Sequence, residues 1–123
     1  MSDKHLYTLE SASLVLSEVE RRLLRLREAY RKLAGHTEDI EEQSAGNGSS
    51  PRPEEWLVAA RNMAKELKWL SEQGILIRDV EQGLIDFPSE REGEEILLCW
   101  RLGENSIEFW HYADEGFDGR QPL

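Results

Sequence analysis

Apolar residues recur along the N-terminal part of the chain at Leu9, Ala12, Leu16, Val19, Leu23, Leu26, Tyr30 and Leu33. Steps of three and four alternate without a break, the period of a helix with one continuous apolar seam. Thr8 stands where the first turn needs a side-chain acceptor for an orphan amide. Leu14, Val15 and Leu24 widen the stripe, so this helix is expected to bury more than one side. Gly35 is read as its C-terminal cap, which gives a helix over residues 8–34. The following stretch TEDIEEQSAGNGSSPRP is acidic, then small and polar, then proline-bearing, and residues 35–53 are expected to form a flexible linker.

A second helix is predicted over 54–73, where Trp56, Ala60, Met63, Leu67 and Leu70 repeat the same steps. Pro53 suits the first turn, Glu54 and Glu55 suit the positive end of the helix dipole, and Gly74 ends the element. Beyond Gly74 the period changes to two. Strands are predicted at 75–78, 84–87, 95–102 and 107–112, separated by the turn signals DVEQG, EREGE and GENS. Short connections make neighbouring strands antiparallel.

Register follows from the alternation. A turn at Glu92 and Gly93 sets Phe87 against Leu98 and Ile85 against Trp100. The loop from Asp79 to Gly83 sets Ile77 against Ile85. A tight turn at Glu104 and Asn105 sets Leu102 against Ile107, Trp100 against Phe109, Leu98 against His111 and Cys99 against Trp110. A slip by one residue is rejected because Glu108 would then fall on the apolar face. One core face results: Ile75, Ile77, Ile85, Phe87, Leu98, Trp100, Ile107 and Phe109. The other face carries Leu76, Arg78, Leu84, Asp86, Leu97, Cys99, Arg101, Glu108, Trp110 and Tyr112, a mixture too apolar for plain solvent and suited to a binding surface. The predicted fold class is α+β: a long two-helix antiparallel hairpin packed on a four-stranded antiparallel meander sheet. A docked tail over 113–123 completes a single domain over 1–123.

Composition narrows the function. The chain has 123 residues and a formal charge of −10, which disfavours nucleic acid and anionic membranes as partners. One cysteine allows no internal disulfide, and no apolar run is long enough to span a bilayer, so a cytoplasmic location is expected.

Candidate chemistry concentrates in the last two strands and the tail. With Cys99 and His111 on opposite faces, no metal and no cofactor are predicted, because transition-metal sites need donors converging on one point. Cys99 lacks a base within reach and is read as filler against Trp110. Asp86, Arg101 and Glu108 read as a cross-strand charge network, and Arg120 as the lone cation of the tail. Asp86, Cys99, Arg101, Glu108, Trp110, His111 and Arg120 are the candidate binding residues.

The stretches YTLESA, GLIDFP, CWRLGE, FWH and EGFDGRQPL together resemble the bacterial family called domain of unknown function 2203, over both helices and the whole C-terminal half. The resemblance implies a small soluble protein and supplies no activity. By position it marks Asp86, Cys99, Trp100, Arg101, Glu104, Trp110, His111, Gly116, Gly119, Arg120 and Pro122. The expected function is that of a non-catalytic cytoplasmic interaction or regulatory protein, a homodimer with a possible further protein partner. Its interface would be the outer sheet face or the helix seams. The alternative is a small-molecule or metal-binding protein, possibly an enzyme, with its site on the sheet under the C-terminal tail.

Overall fold

Thr8 and Ser11 close the start of the first helix reciprocally. The Ser11 amide donates to Thr8 Oγ1 and the Thr8 amide donates to Ser11 Oγ, each at 2.9 Å, a capping box with serine in the third position. The computed structural model describes residues 5–46 and 53–123. The first helix, α1, spans Leu9–Gly46. It therefore runs past the stop expected at Gly35. A Cβ at that glycine would meet nothing within 4 Å, and the segment after it is rich in glutamate and glutamine, which favour helix. The rest of the expected linker, residues 47–52, lies outside the described residues.

The second helix, α2, spans Pro53–Glu72. Its end has the geometry the glycine foretells. Gly74 sits at φ +72°, its amide donates to Ser71 O, and the Ile75 amide donates to Leu70 O, the bond pair of a Schellman cap. Leu70 and Ile75 are both buried in the core. The helices are antiparallel. Tyr7, at the head of α1, donates its hydroxyl to Gln73 O at the foot of α2. Farther along, Arg22 binds the buried Glu66 at 3.0 Å and lies 4.7 Å over the Trp69 ring.

The sheet contains β1 (Leu76–Asp79), β2 (Leu84–Arg91), β3 (Glu94–Arg101), β4 (Phe109–Tyr112) and a short β5 (Gln121–Pro122). It is an antiparallel meander in sequence order. A four-strand expectation becomes five because the tail adds an edge strand. Glu92 (φ 52°) and Gly93 (φ 78°) turn the β2–β3 hairpin, as two left-handed residues must in a two-residue hairpin. Ile77 faces Ile85, Ile85 faces Trp100 and Phe87 faces Leu98, as expected.

The last ladder differs from expectation by one residue. Leu97 pairs with His111, Leu98 with Trp110 and Cys99 with Phe109. The connection is not a two-residue turn but a loop from Leu102 to Glu108, held by Trp100 Nε1 donating to Glu104 O at 3.2 Å and by the Arg101 amide donating to Glu104 Oε1 at 2.8 Å. Ile107 enters the core from this loop rather than from a strand. Glu108 stays exposed outside the ladder, so the clash used to reject the slip does not arise. Trp110 moves into the core, 4% exposed, and Phe109 turns to the outer face.

One core results. Tyr7, Ala12, Val19, Leu23 and Leu26 from the first helical segment and Leu70 from α2 pack with Ile75, Ile85, Phe87, Ile96, Leu98, Trp100, Ile107 and Trp110. At ~1.5–3 kcal/mol for each large side chain, this burial opposes the ordering entropy of the sheet. Tyr7 also ties the helices to the strands. Its amide donates to Pro88 O at 2.6 Å, its carbonyl accepts from Ser89 Oγ at 2.5 Å, and its ring meets Phe87 edge-on. Among the described residues no helix is long and apolar enough to cross a membrane.

Candidate metal centre

The face opposite the helices is built from three neighbouring strands. Asp86 on β2 pairs directly with Cys99 on β3. His111 on β4 pairs with Leu97, two residues along the same face of β3. The one-residue shift of β4 therefore brings His111 to the same side as Cys99, correcting the expectation of opposite sides. One donor atom from each of Asp86, Cys99 and His111 lies within 4.8 Å of the other two, and all three residues are buried.

The hydrogen bonds around His111 fix its proton. Nδ1 lies 2.8 Å from the Tyr112 carbonyl oxygen, which can only accept, so Nδ1 carries hydrogen. In neutral imidazole this leaves the Nε2 lone pair pointing outward. It points at Asp86 Oδ1, 2.9 Å away. That separation is the length of a hydrogen bond with one proton between the two atoms; a metal ion in the proton's place would need them farther apart. The other carboxylate oxygen, Oδ2, accepts from Arg78 Nε at 2.8 Å. A histidine whose far nitrogen is anchored on a backbone carbonyl is oriented as metal-bound histidines are.

Cys99 is no nucleophile in this setting. Burial, with the Asp86 carboxylate alongside, pushes its thiol up to about 12. Both ring nitrogens of His111 are already directed elsewhere, so this imidazole is not free to act as its base. A bound cation is the agent that would reverse this, since a coordinating thiol loses its proton outright.

The tail roofs the site. Beside the three donors is a cavity of about 250 Å³, lined also by Arg78, Leu84 and residues 113–117. Arg120 holds the roof down. Its guanidinium binds Glu104 at 2.8 and 2.7 Å and lies 4.1 Å from the centre of the Phe109 ring and 4.6 Å from that of the Phe117 ring. The Leu123 amide donates to Glu108 O.

The candidate binding residues thus divide. Asp86, Cys99 and His111 converge. Arg120 is a structural latch on Glu104. Arg101 stacks 5.0 Å over Phe117 and gives its amide to Glu104, outside the cavity lining. Trp110 lies on the core side, beneath Arg91 at 4.7 Å. Glu108 is on the connecting loop, where Ser106 Oγ donates to it. The expected network of Asp86, Arg101 and Glu108 does not form; Asp86 takes Arg78 and His111 instead. Arg78 is the residue that site reasoning missed. Its signal was available, since alternation along β1 places it on the face of Asp86.

The family model described as "Uncharacterized conserved protein (DUF2203)" matches residues 5–123, and the chain belongs to that family. No curated protein and no solved structure matches it.

Proposed function

We propose that this member of the family is a metal-binding protein that holds one divalent transition-metal ion, zinc by preference, through Asp86 Oδ1, Cys99 Sγ and His111 Nε2. The observation that carries this reading is the convergence of one donor atom from each of Asp86, Cys99 and His111, all buried and within 4.8 Å of one another, with His111 Nδ1 anchored on the Tyr112 carbonyl. A mixed sulfur, nitrogen and oxygen donor set suits zinc. Tetrahedral bonds of ~2.0–2.3 Å need donors roughly 3.3–3.8 Å apart, so the histidine and aspartate would part slightly and the sulfur would draw in. Three protein donors leave a fourth position free. The cavity that the three donors line would give that position room for a ligand, as in zinc sites that act on a ligand rather than merely brace a fold.

Purified protein dialysed against stoichiometric zinc and then metal-free buffer is expected to retain one zinc per chain by elemental analysis and native mass spectrometry. Cobalt in its place is expected to give a thiolate-to-metal absorption band, absent in Cys99→Ala. A chain that keeps no metal and shows no band overturns the reading, provided its circular dichroism is that of folded protein.

A second reading, the homodimeric interaction protein, draws on Trp56, Leu57 and Val58, which are 43%, 49% and 50% exposed at the start of α2. Light scattering at high micromolar concentration tests it; a strict monomer removes it.

A further inference from the structure

Resting on the metal reading above, we infer that the cavity beside the three donors takes a small zwitterion of the α-amino-acid class. Its carboxylate faces Arg78 and the metal, and its ammonium faces Asp114 and Glu115. The cavity of about 250 Å³ falls below the ~300–1,000 Å³ of sites for drug-sized ligands, so the occupant has few heavy atoms.

The lining carries both signs of charge because different parts of the fold supply it. Arg78 comes from β1, at one edge of the sheet, and is 45% exposed. Its Nε is held by Asp86 Oδ2, and its terminal amino nitrogens have no other partner among the described residues. A guanidinium anchored in this way offers its remaining donors to a carboxylate in a fixed orientation. The acidic part of the lining is the segment that leaves β4, separated from β1 by β2 and β3, bearing Asp114 and Glu115. Glu115 folds over Gly119, where an added Cβ would stand 2.9 Å from its Oε2. Glycine at that position lets the acidic side chain lie close to the tail backbone.

A plain carboxylate would meet the acidic residues, and a plain amine would meet Arg78 and the metal. A molecule bearing both charges satisfies both kinds of lining residue, which is discrimination by repulsion as well as attraction. Leu84 and Phe117 supply the apolar lining for a short side chain.

The test titrates cobalt-loaded protein with glycine, L-alanine, L-serine, acetate and methylamine. It reads the visible band of the metal and the amide NMR shifts of residues 113–117. At least one of the amino acids is expected to bind about tenfold or more tighter than acetate, and methylamine to leave both readouts unchanged. The double variant Asp114→Asn, Glu115→Gln, at two exposed positions, is expected to keep its cobalt and lose the preference over acetate. Amino acids that bind no better than acetate to protein retaining its metal overturn this inference and leave the metal reading standing. Protein that takes up no cobalt overturns both.

Discussion

Nε2 of His111 lies 2.9 Å from Oδ1 of Asp86, and each side chain is 2% exposed. The contact joins β4 to β2 across the intervening strand β3. Removing Asp86 leaves the buried His111 Nε2 without its partner, and only the Nδ1 contact with the Tyr112 carbonyl remains to the ring. Asp86→Ala is therefore expected to destabilise the fold by about 3–5 kcal/mol in urea melts, with Arg78 also released. Asp86→Asn keeps the shape and a donor for Nε2, and is expected to cost less stability than alanine while still weakening metal retention.

Cys99 links stability to alkaline pH. Its thiol is raised from 9.0 to about 12 by burial and by Asp86, so the folded chain keeps this proton where the unfolded chain releases it. Below the unfolded value the group contributes no pH dependence. As pH rises from about 9 toward about 12, the unfolded state binds fewer protons and stability falls. Metal-free wild type is expected to lose stability over that window more steeply than Cys99→Ala. In the same protein, iodoacetamide is expected to label Cys99 only after unfolding.

Arg120 ties the tail to the sheet through Glu104 and two aromatic rings. Arg120→Ala strands the Glu104 carboxylate and uncovers Phe109. The expected cost is about 2–3 kcal/mol. Hydrogen exchange is expected to localise the loss, with the Leu123 amide, now bonded to Glu108 O, losing protection first. Because the roof of the cavity loosens, ligand discrimination should decline more than metal content.

Gly83 has φ +63°, and a Cβ there would stand 2.3 Å from Leu102 Cδ1. Gly83→Ala combines backbone strain with a collision. A loss of about 2 kcal/mol or more is expected in thermal melts, with partial recovery when Leu102→Ala is added. The metal donors lie elsewhere on the sheet, so zinc stoichiometry is expected to survive.

Much of the architecture was legible in the residues. Thr8, Pro53 and Gly74 mark helix ends through local chemistry that needs no partner. Glu92 and Gly93 fix the central hairpin because both adopt the left-handed backbone of a type I′ turn. The site was less legible because its geometry depends on β4, whose register is set by contacts distant in sequence. Leu102 and Ile107 are spaced as if a tight turn joined them, yet Ile107 is drawn into the core from a loop closed by Glu104. Phe109 looks like a core residue by period and is turned outward beneath Arg120. Alternation cannot foresee either choice, since the tail that stabilises Phe109 outside follows it in the chain. Gly35 misled for the opposite reason: a glycine in open space does not force a helix to end.

The donors sit on three separate strands rather than along one loop, which ties the pocket's existence to correct assembly. A partly folded chain with only its central hairpin would bring Asp86 beside Cys99 but lack the imidazole. A β4 mispaired by a single position would aim that ring away. An ion captured here would thus favour the completed ladder alone, making occupancy a signal that the last strand has docked in its proper place.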